Sequence, residues 1–97
     1  QAGFTHMQNI MRLLREKPPR TIGERLVKDT LDYSMGLNGL PKANVLEFRL
    51  EGGGKAMVRP SGTEPKIKLY VFSKESSMAG AREALQKIRS DMERYLQ

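Results

Sequence analysis

Hydrophobic residues near the start of the chain recur in steps of three and four. The stripe consists of Met7, Ile10, Met11 and Leu14. This spacing puts the side chains on one side of an α-helix and predicts that this side is buried. Pro18 and Pro19 predict the end of the helix, because proline cannot continue its hydrogen-bond ladder, and Thr5 is a candidate N-cap.

A second helical stripe lies near the C-terminus. Its members are Met78, Ala81, Leu85, Ile88, Met92, Tyr95 and Leu96. They predict one long amphipathic helix, with Ser76 or Ser77 as its N-cap.

The segment between the two helices shows the period of two that is typical of β-strands. Leu46, Phe48 and Leu50 alternate with Glu47 and Arg49, which predicts one buried face and one solvated face. The triple glycine at 52–54 predicts a hairpin turn into a strand at 55–59, and the alternation continues in a last strand at 66–72. Residues 25–31 are predicted as the first strand, with a short turn at 21–24 before it and a loop at 32–43 after it.

These elements predict one domain of the α+β class over residues 1–97, with a connecting helix at 1–17 and a core at 18–97. The predicted architecture is a four-stranded antiparallel sheet with the helices packed on one face. The stripes of both helices and the apolar face of the sheet then cover each other.

The turn between the last two strands has the composition of an anion-binding loop. Arg59 can donate a fork of hydrogen bonds to phosphate oxygens, and the hydroxyls of Ser61 and Thr63 can each donate one. Gly62 permits positive φ, which would turn successive backbone N–H groups toward one point. The alternative is an ordinary turn, since Ser-Gly-Thr and Glu-Pro are also common turn sequences.

Charge adds to this interpretation without identifying a partner. The chain has 17 basic and 11 acidic residues, a net charge of +6, which favours an anionic partner such as nucleic acid, anionic lipid or a sugar phosphate. It has no cysteine, which excludes disulfides and thiolate chemistry and agrees with a cytoplasmic location. No apolar stretch reaches the length of a membrane span, so no membrane partner is expected.

Reacting groups are hard to find, and no catalytic or metal-binding residue is assigned. His6 is the single histidine, and Asp29, Asp32 and Asp91 do not have the spacing of a metal site. Asp32 and Tyr33 are a candidate carboxylate–phenol pair, although Asp before a loop is commonly local turn chemistry.

The segment VRPSGTEPKIKLY at 58–70 resembles the phosphate-binding segment in the last domain of the α-D-phosphohexomutases. That family includes phosphoglucomutase, phosphomannomutase and phosphoglucosamine mutase. The resemblance extends through Asp32-Tyr33 with Gly36, Leu40-Pro41 and Asn44-Val45-Leu46, and covers about residues 18–97.

The resemblance implies a fold like that of the TATA-box-binding protein and a role as the fourth domain of a larger enzyme. That enzyme interconverts sugar 1-phosphate and 6-phosphate through a phosphoserine and a bisphosphorylated sugar. Its serine loop, its Mg²⁺ site and its sugar-specifying loop lie in the first three domains, which are the expected partners of this chain. Mg²⁺ and glucose 1,6-bisphosphate are expected for the parent enzyme, and no cofactor is expected on this domain.

Carried over residue by residue, the resemblance assigns substrate-phosphate binding to part of the loop and to the strand after it. The assigned residues are Arg59, Ser61, Gly62, Thr63 and Lys68. Glu64 and Lys66 are weaker candidates, and Glu64 is expected to orient Arg59 or a sugar hydroxyl rather than meet the phosphate.

Two other functions compete with this one. A nucleic-acid-binding module is favoured by the net charge and by the solvated face of the last strand, which mixes Lys66, Lys68, Tyr70 and Phe72. Aromatic residues make up only 6% of the chain, so nucleic acid is not the expected partner. The third possibility is a structural interaction domain in which the loop is simply a turn.

Overall fold

The computed structural model describes residues 2–97 and shows two helices and five strands. In chain order the elements are α1 (Ala2–Glu16), β1 (Thr21–Ile22), β2 (Arg25–Asp32), β3 (Leu46–Leu50), β4 (Lys55–Pro60), β5 (Ile67–Phe72) and α2 (Met78–Tyr95). The strands form one antiparallel sheet in the order β1-β2-β3-β4-β5. The α+β class is therefore confirmed.

The sheet has five strands, so the prediction of four is wrong. The segment predicted as a turn at 21–24 contains β1, which pairs Thr21 with Leu26 and Ile22 with Arg25. Gly23 and Glu24 make the turn with φ of 59° and 68°. Positive φ at both central residues is the requirement of a tight type I′ hairpin, and this geometry lets a two-residue strand pair with β2.

Helix α1 buries the predicted stripe and ends before the two prolines. Met7, Ile10, Met11 and Leu14 are all buried. The helix begins at Ala2, so the prediction that Thr5 caps it is wrong. The apolar stripe predicts which side of a helix is buried, but it leaves the first turn undetermined.

The two faces of the sheet have different environments. One face, called the helix face below, carries Leu46, Phe48 and Val58. These side chains form one buried cluster with residues of both helices, among them Met11 and Ile88. The opposite face, called the open face, follows from the register because directly paired residues share a face. It carries Asp29, Leu31, Glu47, Arg49, Lys55, Met57, Arg59, Lys68, Tyr70 and Phe72.

Helix α2 begins with the predicted cap and covers the helix face. Ser77 is the N-cap, and its hydroxyl accepts a hydrogen bond from the Gly80 N–H at 3.0 Å. Ala84, Ile88 and Met92 are the buried residues of this helix. Met78 belongs to the predicted stripe but is 81% exposed, since the first turn extends past the edge of the core.

The glycine turn at 52–54 forms the predicted hairpin between β3 and β4. Gly52 and Gly53 have φ of 90° and 95°, and Leu50 N–H donates to the Gly54 carbonyl at 2.8 Å. Within the described residues, neither helix has the length and apolarity that crossing a membrane would require.

Candidate functional site

The β4–β5 hairpin places two basic side chains opposite each other at its loop end. Arg59 pairs with Lys68 across the strands, so both project from the open face. Both residues are exposed. Over residues 2–97 neither has an acidic partner. Like charges directly opposite each other in a sheet repel, so an anion held between them would remove an unfavourable interaction.

The loop between these strands closes on Ser61. Its N–H donates to the Lys66 carbonyl at 2.8 Å. Its hydroxyl oxygen accepts hydrogen bonds from the N–H groups of Glu64 at 3.2 Å and Thr63 at 3.4 Å. Ser61 is only 7% exposed. The hydroxyl therefore shapes the turn through its oxygen, while its hydrogen is left to donate elsewhere.

The tip of the loop is exposed, and its glycine is not strained. Gly62 and Thr63 are both exposed. Gly62 does not have positive φ, so the sequence-based expectation at this position is wrong. The turn is made instead by the contacts of Ser61, and a Cβ at Gly62 would meet nothing within 4 Å. The open space above Gly62 lets a ligand approach the backbone closely.

Glu64 pairs with Lys66 rather than with Arg59. Its carboxylate lies 3.5 Å from the Lys66 Nζ, and both side chains are more than half exposed, at 61% and 58%. Glu64 is thus not paired with Arg59 in this structure, and its orientation of a sugar hydroxyl stays a prediction. The Glu64 carbonyl also accepts a hydrogen bond from Lys66 N–H at 2.8 Å, which holds the two residues together.

A buried carboxylate lies on the open face, beside the row that carries Arg59 and Lys68. Glu47 is 3% exposed although local alternation predicted it to be solvated. Arg49 Nε donates to it at 2.6 Å and the Tyr33 hydroxyl donates at 3.2 Å. The carboxylate–phenol pair of this site is thus Tyr33 with Glu47, and the predicted pair of Asp32 with Tyr33 is wrong.

These contacts keep Glu47 ionised. Burial by itself would raise the pKa of Glu47, but the hydrogen bond from Arg49, the charge of Lys55 and the hydrogen bond from Tyr33 outweigh it and lower that pKa. Burial and the neighbouring Glu47 charge raise the pKa of Tyr33. The central carboxylate of the open face is therefore neutralised within the domain, and Arg59 and Lys68 are left as the unpaired charges beside the loop.

Asp32 lies on the helix face and ties α1 to the sheet. Arg15 Nε donates to its carboxylate at 2.9 Å, and Ser34 N–H donates to it at 3.0 Å. Burial would raise the pKa of Asp32, but the hydrogen bonds from Ser34 and Arg15 outweigh it and lower the value. Arg15 also donates to the Asn44 side chain at 2.8 Å. Asp32 is thus engaged in a structural contact.

No group of three or more His, Cys, Asp or Glu side chains that could hold a metal ion occurs between residues 2 and 97. The ligand set for the Mg²⁺ that the resemblance implies for the parent enzyme is therefore not found in this part of the chain. The β4–β5 hairpin instead brings together basic and hydroxyl side chains, which are hydrogen-bond donors.

The comparisons with known proteins agree with the motif. The family model described as phosphoglucomutase/phosphomannomutase, C-terminal domain, matches residues 24–94. A probable phosphomannomutase of Haemophilus influenzae is 37% identical over 68 residues, covering 70% of this chain and 13% of that protein. Phosphoglucomutases of Staphylococcus aureus (strain MSSA476) and Staphylococcus saprophyticus are 38% and 40% identical, covering 74% and 77% of this chain and 15% of each of those proteins.

The chain thus spans about 13–15% of the length of the curated relatives it matches. No solved structure matches the chain.

Proposed function

The chain belongs to the phosphoglucomutase/phosphomannomutase C-terminal domain family, and from this premise we propose that its β4–β5 loop binds the phosphate group of a phosphohexose within a larger phosphomutase. The observation that carries the proposal is the cross-strand pair of Arg59 and Lys68, both exposed and both without an acidic partner in the described part of the chain. A phosphate dianion matches the charge of this pair.

Each part of the loop has a distinct role in this proposal. Arg59 binds two phosphate oxygens with its guanidinium, and Lys68 adds a point charge from the neighbouring strand. Thr63 and the backbone at Gly62 contact the phosphate from the exposed tip. Ser61 keeps the turn in shape through its buried oxygen and donates its hydroxyl hydrogen. Glu64 and Lys66 form the outer rim as an ion pair.

The loop acts as an anchor rather than as a reacting group. In the reaction that the family resemblance implies, one phosphate of the sugar is transferred and the other is held in place. Binding energy from a remote phosphate can orient the reacting end of a substrate, and correct orientation can lower a barrier by several kcal/mol. We infer that Arg59 and Lys68 supply such remote binding.

The wider assignment follows from the same premise. We infer that the described helices and sheet form the single C-terminal domain of a parent enzyme that is cytoplasmic and uses Mg²⁺ and a bisphosphorylated sugar. We also infer that its fold is like that of the TATA-box-binding protein.

The test is a titration of the isotope-labelled chain, followed by the shifts of its amide resonances. We expect glucose 6-phosphate to shift residues 59–68 selectively, with a dissociation constant of about 1 mM, because a few charge-assisted hydrogen bonds must offset the entropy of association. Arg59→Ala should weaken binding about 10- to 100-fold, the loss expected for one or two such bonds. Arg82→Ala is the matched control, since Arg82 is an exposed arginine on α2.

A parallel titration with a single-stranded oligonucleotide at several salt concentrations tests the competing function. The open face supports that alternative to some extent, because Tyr70 and Phe72 are 44% and 45% exposed and lie beside Lys68 and Lys55. If the oligonucleotide shifts amide resonances across this face, if its binding weakens steeply with salt, and if glucose 6-phosphate causes no shifts, the chain binds nucleic acid and the phosphate proposal fails. No shifts with either ligand would mean that the loop is only a turn.

A further inference from the structure

The first turn of α1 lies against the loop that we propose to bind phosphate. A Cβ built on Gly3 would be 2.8 Å from the Cβ of Pro65 and 3.4 Å from its Cγ. Separations below about 3.0 Å are essentially never found between real Cβ atoms and their neighbours. Only glycine at this position allows the helix and the loop to come so close.

Pro65 cannot turn away from an added methyl group. Its ring fixes φ, and its Cβ is bonded directly to the backbone, so any displacement of the ring moves the loop itself. The same loop is fixed on its other side by the hydrogen bond from Ser61 N–H to the Lys66 carbonyl, 2.8 Å long. The segment between Ser61 and Lys66 is therefore confined between the β4–β5 ladder and α1.

Helix α1 is itself held firmly on the sheet. Ile10, Met11 and Leu14 belong to the main buried cluster. Arg15, in the last turn, bonds to Asp32 and to Asn44, at 2.9 and 2.8 Å. These contacts restrain residues 10–15 of α1. An added side chain at position 3 must therefore be accommodated where the first turn of α1 meets the loop, and a shift of the loop is the response that the experiment below measures.

We propose that Gly3 is a positioning residue: by lacking a side chain it lets the first turn of α1 support Pro65 and so sets the position of the loop relative to Arg59 and Lys68. The proposal rests on the proposed function, since what is positioned is the phosphate-binding loop. It extends the site to a helix that lies outside the residues matched by the family model, 24–94.

The central experiment replaces Gly3 by alanine. Alanine favours a helix over glycine, so Gly3→Ala leaves the fold intact and acts on the loop. We expect the amide resonances of residues 61–66 to shift before any ligand is added. We expect the dissociation constant for inorganic phosphate, titrated at constant ionic strength, to rise about tenfold, the effect of losing one charge-assisted hydrogen bond. Gln8→Ala is the matched control, because Gln8 is an exposed residue on the same helix.

A double-mutant cycle separates positioning from a general disturbance. Pro65→Gly removes the ring that an alanine at position 3 would meet. If the contact is what matters, adding Gly3→Ala in the Pro65→Gly background changes phosphate binding by less than about twofold. An equally large effect of Gly3→Ala in both backgrounds would overturn the proposal. So would unchanged loop resonances and an unchanged dissociation constant in Gly3→Ala itself.

The unsubstituted chain distinguishes this proposal from the one on which it rests. If the unsubstituted chain shows no phosphate-dependent shifts at residues 59–68, the proposed function fails and the positioning role fails with it. If the unsubstituted chain binds phosphate and Gly3→Ala binds it equally well, only the positioning role fails.

Discussion

Glu47 is a buried carboxylate on the sheet face that carries no helix. Its charge is balanced by Arg49, by Lys55 and by the phenol of Tyr33, which together lower its pKa in spite of burial. A carboxyl group whose pKa is lower in the folded chain than in the unfolded chain stabilises the fold above its ordinary pKa. That contribution to stability is lost as the pH falls through the pKa that the group has in the folded chain. The ordinary pKa for this group is 4.5, so the relevant window is acidic.

We predict that Glu47→Gln lowers the free energy of unfolding by about 1 kcal/mol at neutral pH, because a charge-assisted hydrogen bond is replaced by a neutral one. The difference from the unsubstituted chain should shrink as the pH falls below about 4.5 and vanish once Glu47 is protonated in the folded chain. Urea unfolding at a series of pH values measures both effects.

Glu51→Gln is the control for Glu47→Gln, since Glu51 is exposed and makes none of the ion pairs found among the described residues. It should change stability by less than about 0.5 kcal/mol at every pH. A loss for Glu47→Gln that stays constant from neutral to acidic pH would show that Glu47 acts through packing and not through its charge.

The residues of the site differ in how far the sequence could predict them. Arg59 and Lys68 were assigned from a continuous motif, and the structure places them side by side. The environment of Glu47 was mispredicted, because alternation along one strand gives the face of a side chain but not its burial. Tyr33 contacts Glu47 from a distant part of the chain. Its pairing with Glu47 carries no local sequence signal.

At the scale of elements, the β1–β2 hairpin depends on one glycine held against α2. Gly23 has φ of 59°, and a Cβ there would lie 3.0 Å from the backbone nitrogen of Ile88. Its N–H donates to the Asp91 carboxylate at 2.7 Å. A side chain at position 23 would therefore force the turn or the backbone of α2 to shift by a few tenths of an ångström.

We predict that Gly23→Ala destabilises the fold by about 2–4 kcal/mol, since it adds a clash with helix backbone to the strain of positive φ. Gly39→Ala is the matched comparison, because Gly39 has φ of 80° but a Cβ there would meet nothing within 4 Å. Gly39→Ala should lower the free energy of unfolding only by the backbone strain of positive φ, about 1 kcal/mol. Thermal or urea unfolding of both variants measures the difference. If both variants lose the same free energy of unfolding, the contact between position 23 and α2 contributes nothing to the effect of Gly23→Ala.

Most elements were predictable because their signals are local. The strand predicted at 25–31 is β2 at Arg25–Asp32, and the one predicted at 55–59 is β4 at Lys55–Pro60. The two-residue β1 escaped prediction because so short a strand has no periodicity. Its turn also uses Glu24 at φ of 68°, where Asn, Asp or Gly would have given a recognisable signal.

At the scale of the whole molecule, the basic charge is partly neutralised within the domain. The net charge of +6 suggested an anionic partner without locating it. In the structure Arg15, Arg25 and Arg49 are paired with carboxylates. Arg59 and Lys68 remain unpaired within residues 2–97. Other basic residues, among them Lys17, Arg20, Lys28 and Lys42, also make none of the ion pairs found among residues 2–97. What distinguishes Arg59 and Lys68 is that they face each other across two strands beside the loop.

The position of α1 relative to the β4–β5 loop could not be predicted from the sequence either. Its buried stripe predicted a helix, but nothing in the stripe indicates that Gly3 meets Pro65 across a long stretch of chain. Contacts of this kind depend on how the helix lies on the sheet, which is decided by packing. The position of the loop is therefore a property of the whole fold.

The last prediction concerns the activity of the 97-residue chain alone. The chain spans about 13–15% of the length of relatives that are named as phosphoglucomutases and phosphomannomutases. Its loop is proposed to anchor the phosphate that does not react. We therefore expect the chain to bind a phosphohexose without converting it. A coupled assay for glucose 6-phosphate formation from glucose 1-phosphate, with added Mg²⁺ and bisphosphorylated sugar, should show no turnover above the blank.

A full-length phosphoglucomutase serves as the positive control for that assay, and the phosphate titration of the same sample shows that the chain is folded and able to bind. Turnover that co-purifies with the chain and is lost in Arg59→Ala would contradict the expectation that the chain alone is inactive, because the groups that perform the transfer would then have to lie within these residues. Turnover that is unaffected by Arg59→Ala would be attributed to contaminating host enzyme, and its removal on further purification checks that attribution.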